Sequence, residues 1–446
     1  MLKFFLALRY LKKRRIVFLS IAAVMLSTAL LVTVASLFTA FIHAIELNAS
    51  EYMGDIVLEP VIRITRYDEL LARLNENENI DSATPVLSSS GLIYLDAGNV
   101  RAVTFWGIDL QSRCRVTNFK NNLLLQKKSE HLISFNNDPN NITAALVGVA
   151  MLTEPDAKTD KYDFAKAESY IGKKAVLTTG TLGNIGEQNK GVSLTRSVPV
   201  TISDVVFTAV YEIDKRFVFL PIEQLSKLLL GDDTNIKAAD TIHIKCKAGV
   251  SPANAIETVR QIWLDFAKQQ LDWPESFAND STIVTAMKKQ ADYTDELKKQ
   301  MGVLLIVFGI ISAGIIVLVF CIFYMIVKAK LKDLAIVKSI GASAADIISI
   351  FLLFGLFVGV IGATGGIATG YIITHNVNTI EQFVSQLFGM KLWDSSTYMF
   401  TKIPSQFDWF WATWFFFAAI IASVLGAVVP SLIAAKTSPV KILRYE

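Results

Sequence analysis

The chain has 446 residues, 52% of them apolar, with 43 basic against 40 acidic side chains. That apolar share excludes a disordered chain and fits a membrane protein with a substantial aqueous part. The near-balanced charge gives no basic footprint for nucleic acid. Three cysteines, Cys114, Cys246 and Cys321, make neither a CxxC pair nor a metal spacing.

Residues 1–15 put Phe4, Ala7, Leu8 and Leu11 on one helical face and Arg9, Lys12 and Lys13 on the other, which predicts an interfacial helix on the cytoplasmic leaflet. A signal-peptide n-region is the competing reading. The apolar run that follows, residues 16–42, is far longer than the roughly 7–15 residues of a signal h-region, so it reads as an uncleaved first span.

Residues 43–300 form one long extracytoplasmic insertion. Strand patterns occur at 55–58, 91–95, 103–106, 175–178, 198–203, 217–220 and 241–245, and helical ones at 67–74, 223–230 and 252–270. The mixture predicts an α+β domain. The polar stretches 121–143 and 180–197 read as surface excursions, the second a projecting hairpin or loop. Cys321 falls in a span, so only Cys114 and Cys246 could pair, and free thiols are expected. Residues 283–300 repeat apolar positions at helical spacing and predict an amphipathic helix feeding the second span. With 43–53 it would make a two-helix stalk.

Three further charge-free apolar runs, 303–327, 347–373 and 409–435, complete four spans. The connector 328–346 carries Lys328, Lys330, Lys332 and Lys338 against Asp333 and Asp346. As a helix it gathers Leu331, Leu334, Ile336, Val337 and Ile340 on one side, and Gly341 sits where a C′ glycine would end it. That face reads as a docking surface; the plain alternative is a solvated joining loop. In the third span Gly355, Gly359, Gly362, Gly366 and Gly370 share one face, which predicts a close helix contact, within this chain or with a second membrane subunit, that tolerates alanine but not leucine. Residues 374–408 read as an outer loop or re-entrant element, and Trp409, Trp411 and Trp414 as an aromatic belt. The segments 1–15, 328–346 and 436–446 together hold 13 basic and 3 acidic side chains, which places them and both termini in the cytoplasm.

Three motifs carry a family resemblance. KDLAIVKSIGAS at 332–343 resembles the signature between the second and third spans of ABC-transporter permeases of the MacB/FtsX superfamily. VPSLIAAKTSPVKILRYE at 429–446 and LALRY at 6–10 are similar to the ending and opening of its lipoprotein-releasing (LolC/LolE) permeases. The resemblance implies a fold of four spans with a large α+β extracytoplasmic domain inserted between spans 1 and 2. It further implies a βαβ-containing part with a β-rich subdomain inserted at about 113–213, and stalks that transmit motion. A hairpin, matched in position by 180–197, would recruit a periplasmic carrier protein.

No G-x-x-x-x-G-K-[ST], H-E-x-x-H or G-x-S-x-G occurs, and the four histidines are scattered. Charge-free spans argue against an ion pathway. The expectation is therefore a non-catalytic subunit without cofactor or metal, in a bacterial inner membrane. An ABC ATPase dimer would dock on Lys332, Asp333, Leu334, Ala335, Ile336, Val337, Lys338, Ile340 and Gly341, beside a second, identical or related permease. The resemblance implies extraction of a lipoprotein or other amphiphilic cargo, delivered towards the outer membrane. Its acyl chains would meet Leu37, Phe38, Phe41 and Ile42 on the first span and Met301, Leu304, Leu305 and Phe308 on the second; the competing reading is that these side chains face bulk lipid. A MacB-like exporter or an FtsX-like regulator is the alternative output. A motorless receptor would need more cytoplasmic chain than is present.

Overall fold

A computed structural model describes residues 15–436 apart from 97, 129–132, 136–142, 157–161, 183–192, 231–236, 290, 330–335, 337, 390–392, 394–399 and 401. Residues 1–14 of the interfacial segment, 330–335 and 337 of the connector, and 437–446 of the C-terminal tail lie outside these residues. In chain order, helix α1 (Arg15–Met53) precedes β1 (Ile56–Glu59), β2 (Ile64–Thr65) and α2 (Tyr67–Asn75). Next come β3 (Ile80–Asp96), β4 (Asn99–Ile108), α3 (Leu110–Val116), β5 (Thr143–Gly148), β6 (Lys174–Leu182) and β7 (Ser193–Val206). They are followed by α4 (Tyr211–Arg216), β8 (Phe217–Pro221), α5 (Ile222–Leu230), β9 (Ala238–Ala239), β10 (Thr241–Cys246), α6 (Pro252–Gln270) and β11 (Thr282–Thr285). Four helices close the chain: α7 (Ala291–Ala329), α8 (Ala344–His375), α9 (Val377–Phe388) and α10 (Trp409–Lys436).

These elements form two compact units. One takes Met1–His43, Asp295–Ile380 and Ile403–Glu446; the other takes Ala44–Thr294 and Glu381–Lys402. In the first, α1, α7, α8 and α10 are each long and apolar enough to cross a bilayer. Val17, Val24, Ile322, Phe323, Phe351, Phe354 and Ala427 pack into one core, with the rings of Phe323 and Phe354 edge to face at 5.1 Å. A smaller cluster joins Ala35, Ile42 and Met301 to Phe38, Leu305, Trp411 and Phe415. The helices contribute unequally. Half of the most apolar window of α8 is buried, but only 6% of that of α7, so α7 is the helix with most surface left to lipid or a partner.

The second unit is built on a nine-stranded sheet of order β11-β1-β10-β3-β4-β8-β5-β7-β6, beside a β2–β9 ribbon. An additional β3–β6 pairing returns the far edge to β3, so β3, β4, β8, β5, β7 and β6 close a six-stranded ring. Closure removes the exposed edges. Buried residues recur with period two: Ile93 and Leu95, Val103 and Phe105, Ala145 and Val147, Ala175 and Leu177, Val200 and Ile202, Val218 and Leu220. Where β6 meets β3, a Cβ at Gly91 would lie 2.3 Å from both the Phe105 ring and the Thr178 carbonyl oxygen, so only glycine fits. The first half of β3 pairs instead with β10, and β10 with β1. One 17-residue strand thus serves both the ring and the sheet beside it.

Several expectations need correcting. The β-rich part is no insertion confined to 113–213, because its ring takes β3, β4 and β8 from outside that range. Of the helix expected over 283–300, Ala286–Lys289 and the residues from Ala291 on are helical, but Ile283 pairs with Leu58 as β11, Thr282–Thr285, extends the sheet beyond β1. Residues 374–408 are not simply a loop, for they contain the 12-residue α9. The connector ends before Asp346, which is the third residue of α8. Ser343 and Asp346 form a capping box, each side chain accepting from the other's backbone N–H.

Candidate functional site

Of the predicted docking residues, Lys332, Asp333, Leu334, Ala335 and Val337 lie outside the described residues. Ile336 and Ile340 are half and four-fifths exposed, with Ile340 N–H donating to the Ile336 carbonyl. Gly341 adopts φ +105°, the left-handed turn that ends this helical stretch. Lys338 points the other way. Its Nζ donates to the Ala435 carbonyl at 2.6 Å, where the last turn of α10 has an orphan acceptor and the negative end of the helix dipole. The connector therefore holds α10 with one side chain and presents isoleucines with others. Sequence reading missed this contact, which spans 97 residues, although a lysine facing a helix C-terminus is a known pairing.

The glycines of α8 meet two helices of this chain. Gly355 and Gly359 face Ala427, Ser423 and Ile420 of α10, and the Ser423 hydroxyl donates to the Gly355 carbonyl at 2.9 Å. Gly362, Gly366 and Gly370 face Val24, Thr28, Ala29 and Val32 of α1. A Cβ would lie 2.8 Å from Val24 at Gly362 and 2.6 Å from Thr28 at Gly366, so even alanine crowds those two positions and the expected tolerance fails there.

Not all predicted cargo side chains are available. Ile42 and Met301 are buried against each other's helices, 6% and 7% exposed, and are corrected to packing residues. Phe38 and Leu305 pack on that same cluster, while Leu37, Phe41, Leu304 and Phe308 stay half-buried. Between this cluster and the larger core lies an apolar cavity of about 270 Å³ lined by α1, α7 and α10. Its hydroxyls are already spoken for: Ser27 donates to Ser312 at 2.7 Å, Thr28 to the Val24 carbonyl and Ser423 to Gly355. The wall thus offers an occupant little but C–H surface.

The α+β unit holds a constellation that no motif announces. Arg113 of α3 is fully buried. One Nη lies 2.8 Å from Nδ1 of His243, the other donates to the Tyr52 carbonyl, and the guanidinium stacks over Trp106 at 5.2 Å. Burial lowers the Arg113 pKa to about 10 and drives that of His243 well below its ordinary value, so the imidazole is neutral and its Nδ1 accepts. Tyr52 lies in the last turn of α1, so the buried cation sits on the negative end of a 39-residue helix. Nearby Asp214 is also buried, and desolvation lifts its pKa to about 7 although Thr208 donates to it twice. Cys114 and Cys246 are free thiols. Among the described residues no three metal-binding side chains cluster.

Residues 305–439 match the family described as FtsX-like permease C-terminal. The chain is 26% identical to the lipoprotein-releasing system transmembrane protein LolC of Neisseria meningitidis serogroup B, across 100% of this chain and 99% of the relative. It is 34% identical to LolE of Haemophilus influenzae over 27% of this chain and 29% of that one. The solved periplasmic region of MacB from Actinobacillus actinomycetemcomitans aligns with 54% of this chain and 91% of its own at 16% identity and a TM-score of 0.31. With its four apolar helices, the chain is a multi-pass membrane protein that carries an FtsX-like permease domain and is similar along its whole length to a lipoprotein-releasing permease.

Proposed function

We propose that the chain is the permease subunit of an ABC transporter that releases lipoproteins from the bacterial inner membrane for delivery to the outer membrane. The observation that carries this reading is the full-length likeness to LolC. Both termini and the connector lie in the cytoplasm, where a separate ATPase dimer supplies the energy. The ATPase docks on residues 332–341, burying Ile336 and Ile340. Because Lys338 grips the end of α10, and Ser423 of α10 grips α8, a push on the connector is delivered to two spans at once. A second permease, identical or related, packs beside this one, and α7 offers the exposed surface for it. Acyl chains of the cargo meet the outer halves of α1 and α7, at Leu37, Phe41, Leu304 and Phe308. The β6–β7 hairpin, paired out to Leu182 and Ser193, is positioned in sequence to recruit a carrier.

The test is reconstitution with the co-purified ATPase. Ile336→Asp and Val337→Asp should abolish ATPase stimulation or assembly while membrane insertion persists, because an unpaired carboxylate is costly to bury. Full activity of both variants would remove the docking surface. Release of a radiolabelled lipoprotein from proteoliposomes separates this function from a MacB-like exporter or FtsX-like regulator, which would use the same stroke without it.

A further inference from the structure

One residue, Asn376, separates the end of α8 from the start of α9, whose sequence VNTIEQFVSQLF is amphipathic. At 100° per residue, Ile380, Phe383 and Leu387 fall on one strip, and Thr379, Gln382 and Gln386 on the adjoining one. A third strip, with Val377, Asn378, Glu381, Val384 and Ser385, is partly covered by protein, and only its last residue, Phe388, is exposed. The apolar strip is not covered: Ile380 is 41% exposed, Phe383 65% and Leu387 67%. The helix has no basic residue, and its one acid, Glu381, accepts from Ser385 at 2.6 Å on the covered side.

The root of the helix marks a depth. Tyr371 of α8 stacks on His375 and meets Phe407 at 5.3 Å, and Phe407 meets Trp409 at 4.9 Å. Trp409, Phe410 and Trp414 are each about two-thirds exposed or more. Such a ring belt belongs at a bilayer–water boundary. Asn378 ties the first turn of α9 to this level, its side chain both donating to and accepting from the backbone of Ile403. Asn376, at φ −104° and ψ 14°, interrupts the helix between α8 and α9.

We infer that α9 is an in-plane membrane helix, with Ile380, Phe383 and Leu387 seated in the boundary between headgroups and acyl chains at the aromatic end of α8. Carried onward into water, the same strip would expose three large apolar side chains for no return. A protein partner is disfavoured by size, since three side chains are far less than the ~800 Å² per partner of a stable interface. The absent basic residues mean that binding rests on apolar insertion and does not depend on anionic lipid.

The test uses the full chain in liposomes of phosphatidylethanolamine and phosphatidylglycerol. Cys114, Cys246 and Cys321 are replaced by serine or alanine, and single cysteines are introduced as Ile380→Cys, Phe383→Cys, Leu387→Cys, Gln382→Cys and Gln386→Cys. Spin labels are then read for collision with oxygen against a water-soluble nickel chelate. The inference expects labels at 380, 383 and 387 to favour oxygen, those at 382 and 386 to favour nickel, and the contrast to persist without phosphatidylglycerol. Equal nickel access at all five would overturn it, as would shielding of 380, 383 and 387 from both agents, the result for a second copy or other protein on the strip. The three reporters are independent, so loss of one variant to misfolding leaves the contrast readable.

Discussion

Alanine scanning of the α8 glycines should give a graded result set by distance. At Gly366 a Cβ would stand 2.6 Å from Thr28 Cβ and 2.8 Å from the Met25 carbonyl oxygen. At Gly362 it would stand 2.8 Å from both Cβ and Cγ1 of Val24. Neither obstacle yields easily, because the carbonyl is backbone and both side chains are β-branched, with one strongly preferred χ1 for valine in a helix. Restoring ordinary contact requires α1 and α8 to part by up to about 1 Å, and overpacking of this kind costs about 1–3 kcal/mol. Alanine recovers at most about 1 kcal/mol of helix propensity. At Gly370 the nearest atoms are 3.4 Å away, so only the favourable effect remains. Gly362→Ala and Gly366→Ala should therefore melt below wild type in detergent, and Gly370→Ala at or above it, each followed by circular dichroism and size-exclusion retention. If the first two melt with or above Gly370→Ala, the α1–α8 contact is not the tight seam described.

Lys338→Met removes a charge-assisted hydrogen bond to the end of α10, worth about 1–2 kcal/mol; it should leave assembly with the ATPase intact but lower transport per ATP hydrolysed in proteoliposomes. Arg113→Met leaves the Tyr52 carbonyl and His243 Nδ1 without their donor, and should destabilise the chain by about 2–4 kcal/mol in chemical denaturation. Asp214 has a folded pKa of about 7, above its ordinary 3.8, so its favourable contribution is complete below about pH 4 and lost as pH rises through 7. That amounts to an order of 4 kcal/mol, and Asp214→Asn should be less sensitive to the change from pH 5 to 8 in thermal melts; identical pH slopes would refute the assignment.

The spans were legible because a charge-free apolar run has few other uses, the strands at 103–106 and 241–245 because each combines β-branched or aromatic residues with alternation, and 217–220 because it is a short aromatic and branched run that ends at Pro221. Other elements gave weaker signals. The first half of β3, Ile80 to Ser90, carries Pro85 and a run of serines, and is a strand because β10 and β4 hold it from both sides. Helix α9 had a readable apolar spacing at Ile380, Phe383 and Leu387, but its 12 residues lie between two stronger signals. Arg113 and His243 lie 130 residues apart, and Lys338 and Ala435 are 97 apart. No local pattern encodes such pairs, so the apolar face of the connector was readable as an amphipathic stretch while its Lys338 anchor was not.

The double service of β3 has a consequence for anyone who cuts or grafts this protein. Deleting 113–213 would not lift out a module. It would remove β5, β6 and β7 together and leave the second half of β3 and one side of β8 with open edges, an invitation to intermolecular strand pairing. Chimaeras with relatives should instead exchange the whole sheet at once. Suitable junctions are Gly54, whose φ of +73° turns the chain from α1 into β1, and Ala286, where β11 has just ended.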